Sequence, residues 1–86
     1  MNRPRVSPPP ESAADRTALA DRLAQLRRRA GLTQVQVSQR VGKPQSWIGK
    51  LETGRRSLLF AEAILLAKLY GVPLSALDPN EEPPER

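Results

Sequence analysis

The sequence contains neither cysteine nor histidine, and both absences exclude classes of chemistry. Without cysteine the chain forms no disulfide and carries no thiol nucleophile, and without either residue it lacks the usual zinc ligands. Histidine general bases and histidine-containing triads are excluded as well. Carboxylate or lysine catalysis stays formally open, but no pair of such groups converges on a predicted cleft. We therefore expect a protein that is not an enzyme and that needs no cofactor or metal.

Long hydrophobic runs are also missing from the sequence. No segment approaches the roughly 18 consecutive apolar residues of a membrane-spanning helix. The first ten residues are rich in arginine and proline, unlike the apolar centre of a signal peptide. With 86 residues the chain is long enough for one small domain. We expect a soluble cytoplasmic protein without a membrane partner.

Positive charge is concentrated in the first two thirds of the chain. Up to Arg56 there are 12 Lys and Arg against 4 Asp and Glu, whereas from Ser57 onward there are 2 against 5. A polyanion such as nucleic acid is the natural partner of a basic surface. A basic surface that serves only solubility is equally compatible with the charge alone.

Two short amphipathic helices are predicted on either side of Gly42. Val37 and Val41 lie four residues apart, and Ile48 and Leu51 lie three apart, so each pair shares one face of a helix. The intervening glycine and proline form a turn that no single helix would cross. Two short helices joined by a tight glycine turn predict a helix-turn-helix.

The remaining periodicity predicts an all-α domain over residues 12–78. Helices are expected over 12–30, 34–41, 44 or 45 to 52, and 59–70, followed by a short turn or helix over 73–77. Ser12 with Asp15 resembles a capping box for the first helix, and Thr33 is a good N-cap for the second. Residues 1–11 are predicted to be a flexible basic arm, in which Arg3 and Arg5 either touch DNA or belong to a disordered tail. Residues 79–86 are predicted to be a flexible acidic tail.

Two further helices have predicted buried stripes. The stripe of the first helix comprises Leu19, Leu23, Leu26 and Ala30, and that of the fourth comprises Phe60, Ile64 and Ala67, flanked by Ala63. The fourth helix is apolar nearly all round. It is therefore expected either to be deeply buried or to offer a second apolar surface to a partner.

The third helix presents a polar face opposite its apolar pair. If Ile48 and Leu51 are buried, the opposite face consists of Gln45, Ser46, Gly49 and Lys50. A glutamine amide can contact adenine through two hydrogen bonds, serine can contact several bases, and lysine can contact guanine or a phosphate. Gly49 either lets the backbone approach a groove closely or is a tolerated defect in the helix. These four residues are the candidate base-contacting set.

Other polar groups lie around this helix and are candidate phosphate contacts. They are Gln34 at the start of the second helix, Lys43, Arg55 and Arg56, with Lys50 as a further possibility. Trp47 lies at the border of the polar face. Its indole N–H is expected to donate to a phosphate, or else Trp47 is a core residue.

The motif LxxLRxxxGLTQ, continued by VGxPQSWIGKLETG, resembles the Cro/C1-type helix-turn-helix family, also called the XRE or lambda-repressor-like family. The resemblance covers roughly residues 19–77. It implies a compact five-helix bundle that binds operator DNA as a homodimer, with the third helix in the major groove. By position it implies that Gln34 contacts a phosphate and braces Gln45, and that Arg27 and Glu52 form a structural ion pair. Pro44 departs from the family pattern, because Ser or Thr often caps the third helix there.

The leading functional hypothesis is a sequence-specific, repressor-like transcriptional regulator that binds an inverted-repeat operator in double-stranded DNA. The alternative is an antitoxin or another interaction module of the same fold that binds a protein partner as well as DNA. No small-molecule ligand is expected, because the stretch after Leu77 is too short for a ligand domain.

Overall fold

The computed structural model describes residues 13–82, which form an all-α bundle without strands. Its helices are α1 (Ala13–Arg29), α2 (Gln34–Val41), α3 (Gln45–Glu52) and α4 (Phe60–Tyr70), followed by a 3-10 helix (Leu74–Leu77). The predicted all-α class is confirmed, with the single 3-10 turn as the fifth element. None of these helices is both long and apolar enough to cross a bilayer.

Local capping defines the boundaries of α2 and α3. Thr33 and Gln36 form a reciprocal capping box, in which each side chain accepts a hydrogen bond from the other residue's backbone N–H, at 3.1 and 2.8 Å. Gly42 ends α2 with φ +73°, a left-handed conformation that glycine adopts at little cost. Pro44 precedes α3 as its N-cap and supplies no side-chain hydrogen bond. The predicted bounds of α2 and α3 are therefore confirmed.

The core forms where α1, α2 and α3 meet α4 and the 3-10 helix. Its largest fully buried side chains are Leu23, Leu26, Val37, Ile48 and Leu66. Burial of each such side chain contributes roughly 1.5–3 kcal/mol. The predicted burial of Val37, Ile48 and Leu51 is confirmed, and Val41 is half-buried. The prediction for Ala30 is wrong: it is exposed, because α1 ends at Arg29 and Ala30 lies in the following turn.

Helix α4 buries a different face from the predicted one. The buried residues are Glu62, Leu66, Ala67 and Tyr70, whereas Phe60 is 70% exposed and Ile64 is 36% exposed. The prediction is wrong for Phe60 and Ile64 because α4 is apolar on nearly every side, so periodicity cannot select one face. Packing against α1 and the 3-10 helix selects it instead. An apolar surface on α4 is left open to solvent.

The end of the domain is attached to α1 through Arg22. Its buried guanidinium donates to the carbonyl oxygens of Ala76 at 2.8 Å, Asp78 at 2.9 Å and Glu81 at 2.6 Å. The carbonyls of Asp78 and Glu81 therefore face α1. The flexible acidic tail expected over residues 79–86 stays a prediction. The predicted arm over 1–11, the Ser12 cap and residues 83–86 lie outside the described residues.

Candidate nucleic-acid interface

The outer face of α3 is polar and accessible. Gln45, Ser46 and Lys50 are exposed and Gly49 is half-buried, whereas Ile48 and Leu51 on the opposite side are buried. The four candidate base-contacting residues therefore share one accessible face.

On α2, Ser38 is buried, and its hydroxyl donates to the carbonyl of Val35 at 2.9 Å.

Gly49 is not required by the interior of the protein. Its backbone is helical, and a Cβ added there would meet only the Gln34 side-chain oxygen, at an ordinary contact distance of 3.8 Å. An alanine would fit without displacing anything. The space over Gly49 is thus available to an external group.

Gln34 and Gln45 lie next to each other at the accessible face. The Gln45 amide Nε2 lies 3.5 Å from Gln34 Oε1, and Gln34 Nε2 donates to Glu52 Oε1 at 3.0 Å. Gln34 of α2 therefore contacts Gln45 of α3 on one side and the buried carboxylate of Glu52 on the other.

Arg27 and Glu52 form the ion pair that the resemblance implied. Arg27 Nε lies 2.7 Å from Glu52 Oε2, and its Nη2 donates to Oε1 at 3.0 Å. The same guanidinium donates to the Leu32 carbonyl at 2.8 Å. The hydrogen bonds to Glu52 raise the pKa of Arg27 and outweigh the opposite effect of its burial. This pair attaches the end of α3 to the end of α1.

The candidate phosphate-contacting cations do not share one environment. Lys43 and Arg55 are exposed, and Arg56 is half-buried. Lys43 Nζ lies 5.6 Å from the Trp47 ring centroid, a cation–π distance, and 3.6 Å from Glu62 Oε2. Arg56 donates to both Glu62 oxygens, at 3.1 and 3.3 Å. Of the three, Arg55 is the one placed in solvent without an ion pair to Glu62.

The structure corrects the phosphate contact expected of Trp47. Its side chain is buried in the core, and its indole N–H donates to Glu62 Oε2 at 3.2 Å. Because this side chain is buried, its indole N–H does not face the surface on which the exposed residues of α3 lie. Trp47 is therefore a core residue, which is the second of its two predicted positions.

A sequence model of the helix-turn-helix domain family matches residues 18–79. The chain belongs to the Cro/C1-type helix-turn-helix family. A crystal structure of the restriction-modification controller protein C.AhdI from Aeromonas hydrophila is similar, with a TM-score of 0.70 and 28% sequence identity. The match covers 74% of this chain and 97% of the other. A comparison with curated proteins found no significant match.

As a member of this helix-turn-helix family, the protein is a DNA-binding transcription regulator. Family membership agrees with the accessible polar face of α3. Within residues 13–82, moreover, no three potential ligands gather into a metal site.

The structure also shows a residue that sequence reasoning missed in this helix-turn-helix domain. Glu62 accepts hydrogen bonds from Trp47, from Arg56 and, at 3.0 Å, from the backbone N–H of Leu59. Burial alone would raise the pKa of Glu62, but these hydrogen bonds and the charge of Arg56 lower it. One signal was available in the sequence. A glutamate three residues after a helix N-cap is the residue that accepts the cap's backbone N–H.

Proposed function

We propose that the protein is a repressor-like regulator that binds an inverted-repeat operator with α3 in the major groove. The observation that carries the proposal is the two-sided character of α3. Ile48 and Leu51 attach it to the core, while Gln45, Ser46 and Lys50 stand exposed on the opposite face. A helix of this kind can enter the major groove with its polar side toward the base edges.

Recognition divides between base and phosphate contacts. Gln45 reads an adenine with its amide, Ser46 and Lys50 contact neighbouring bases, and Gly49 lets the helix backbone approach the groove closely. Gln34, Lys43, Arg55 and Arg56 contact phosphates that set the register on the duplex. Lys43 and Arg56 then exchange part of their interaction with Glu62 for the phosphates.

Replacing Gln45 tests this assignment. In vitro selection with the parent protein is expected to return a two-fold symmetric site. Gln45→Ala should lose about 1–3 kcal/mol of binding per half-site and relax preference at one base pair in each half-site. Gln39→Ala, which replaces an exposed glutamine of α2, is a control for the loss of an amide. Unchanged selection by the Gln45 variant, or equal parental affinity for all sequences, would contradict the proposal.

A homodimer is the form that an inverted repeat requires, because a symmetric site is matched by a two-fold axis in the protein. The apolar surface of α4 is the face proposed for this contact. Its members and their exposed fractions are Leu59 at 57%, Phe60 at 70%, Ile64 at 36% and Leu65 at 41%. One helix surface packing on its own copy would remove these side chains from water.

The likeness to C.AhdI suggests which genes to test first. That relative is a restriction-modification controller protein, so control of neighbouring restriction-modification genes is the first regulated process to examine. An antitoxin-like role is the second candidate, because the same apolar surface of α4 suits a protein partner. Purification with its genomic neighbour would favour that role, and recovery as a homodimer alone would count against it.

A further inference from the structure

A continuous set of polar contacts leads from the interior to the proposed reading surface. Arg27 donates twice to Glu52, Gln34 donates to Glu52 at 3.0 Å, and the Gln45 amide lies 3.5 Å from the Gln34 oxygen. The set joins α1, α3 and α2 and ends at the first residue of α3. Its inner end is buried, since the Glu52 side chain is 4% exposed.

Glu52 gives this set a direction. An ionised carboxylate only accepts hydrogen bonds, so Gln34 must turn its NH₂ group toward Glu52 and its carbonyl oxygen toward Gln45. Gln45 must in turn present an N–H to that oxygen. Its own carbonyl oxygen and its second N–H are then left to face outward. Arg27 holds the carboxylate in place through both oxygens.

We infer that Glu52 is a positioning residue for base recognition, which acts through Gln34 to set the amide orientation of Gln45. The inference rests on the proposed reading of DNA by Gln45. One N–H and one C=O facing outward match the N7 acceptor and N6 donor of adenine. A reversed amide would present two N–H groups, which match the two acceptors of guanine. Glu52 thus favours adenine over guanine without touching DNA.

Replacing Glu52 by the isosteric amide removes the group that fixes the amide orientations of Gln34 and Gln45. Glu52→Gln offers Gln34 either a donor or an acceptor, so both orientations of Gln34 and Gln45 become available. The probe is a duplex carrying the selected inverted repeat, compared with one that has guanine in place of adenine at the base pair identified by Gln45→Ala. The ratio of the two Kd values is expected to fall about three- to tenfold relative to the parent.

Arg22→Met is the control for a loss of stability. Arg22 donates to backbone carbonyls of residues 76–81 and belongs to no contact of the set that ends at Gln45. Its Kd ratio should stay within about twofold of the parent. A ratio that falls in Glu52→Gln but not in Arg22→Met therefore separates positioning from a general loss of stability. A parental ratio in Glu52→Gln would overturn the inference.

A second variant keeps the test decisive if Glu52→Gln does not fold. Gln34→Ala removes the link at a less buried position, and it should reduce the adenine preference in the same way. Retained preference in Gln34→Ala would overturn the inference, because Gln34 is the residue that contacts both Glu52 and Gln45. If Gln45→Ala relaxes selection and these variants do not, the inference fails and the proposed function stands. A parent without any base preference overturns both.

Discussion

Four groups from separate parts of the chain converge on the carboxylate of Glu62. They are the indole of Trp47, the guanidinium of Arg56, the ammonium of Lys43 and the backbone N–H of Leu59. Together they bind the turn before α3, α3 itself and the following loop to the start of α4. Because this acid is buried and well paired, its removal leaves polar groups without partners.

Glu62→Ala is expected to lower the free energy of unfolding by about 1–3 kcal/mol, because the buried indole N–H and the Leu59 N–H lose their acceptor. Urea unfolding followed by the fluorescence of Trp47, the only tryptophan, measures the change at the affected site. Glu62→Gln is the control that keeps an acceptor and removes the charge. It should lose less than Glu62→Ala. Equal stability of Glu62→Ala and the parent would contradict this role.

The same residue predicts a pH dependence. The pKa of Glu62 is lowered in the folded state, so its stabilising contribution is present above the unfolded pKa of about 4.3 and is lost as the pH falls through the folded value. Glu62→Gln does not titrate at this position. The stability difference between parent and Glu62→Gln should therefore shrink as the pH is lowered from 7 into this acidic range.

The sequence of α3 specifies which face of the helix is buried, whereas the sequence of α4 does not. A mixed helix such as α3 has one apolar pair, so Ile48 and Leu51 alone specify its inner face. Helix α4 has apolar residues on every side, and its neighbours decide which are buried. The 3-10 helix has no strong pattern. It buries Ala76 and Leu77, and the Ala76 carbonyl accepts a hydrogen bond from Arg22 of α1.

Arg22→Met tests this attachment of the 3-10 helix to α1. The variant keeps an apolar stem but removes the guanidinium donors to the carbonyls of Ala76, Asp78, Pro79 and Glu81. The free energy of unfolding should fall by about 1–3 kcal/mol, and amide exchange should quicken over residues 76–82. Arg28→Met replaces an exposed arginine of the same helix and should change stability by no more than about 0.5 kcal/mol. Equal effects of the two substitutions would contradict the attachment.

The molecule as a whole has two exposed surfaces that favour different partners. One is the basic surface around α3, and the other is the apolar surface of α4. The basic residues around α3 favour a polyanion, whereas the exposed side chains of α4 favour an apolar partner. A symmetric dimer on DNA satisfies both at once.

Phe60→Glu is expected to convert the proposed dimer into a monomer, because it places a charge at the most exposed large apolar side chain of α4. Sedimentation without DNA gives the oligomeric state. Affinity for the full inverted repeat should fall, whereas affinity for an isolated half-site should not. Val35→Glu adds the same charge at an exposed apolar residue of α2 and should remain dimeric. A dimeric Phe60→Glu protein would exclude this surface.

Arg55→Gln should weaken binding to all DNA sequences alike. Loss of one phosphate contact in each protomer of the proposed dimer should also reduce the slope of log K against log salt by about 1.8. Binding titrations at several salt concentrations, with the selected site and with random DNA, measure both effects. Lys68→Gln makes the same charge change in the last turn of α4 and should leave the slope unchanged. An unchanged slope for Arg55→Gln would remove this residue from the interface.

The parts that could be predicted from the sequence depend on neighbours within one or two helical turns. The N-cap at Thr33, the left-handed glycine at position 42 and the apolar pairs of α2 and α3 are all local, and the structure contains each of them. The accessible polar face of α3 followed from the same local pattern. The family motif additionally indicated the contact between Arg27 and Glu52, which are 25 residues apart.

Only the tertiary structure decided the position of Trp47, the partners of Arg22 and the buried face of α4. Trp47 at the border of α3 became a core residue because Glu62, 15 residues later, provides a buried acceptor. Arg22 holds carbonyls more than 50 residues away, and α4 buries the face that its neighbours cover. A local pattern specifies a helix and, where it is mixed, its inner side. Pairing between distant side chains depends on how the helices pack, which no local spacing encodes.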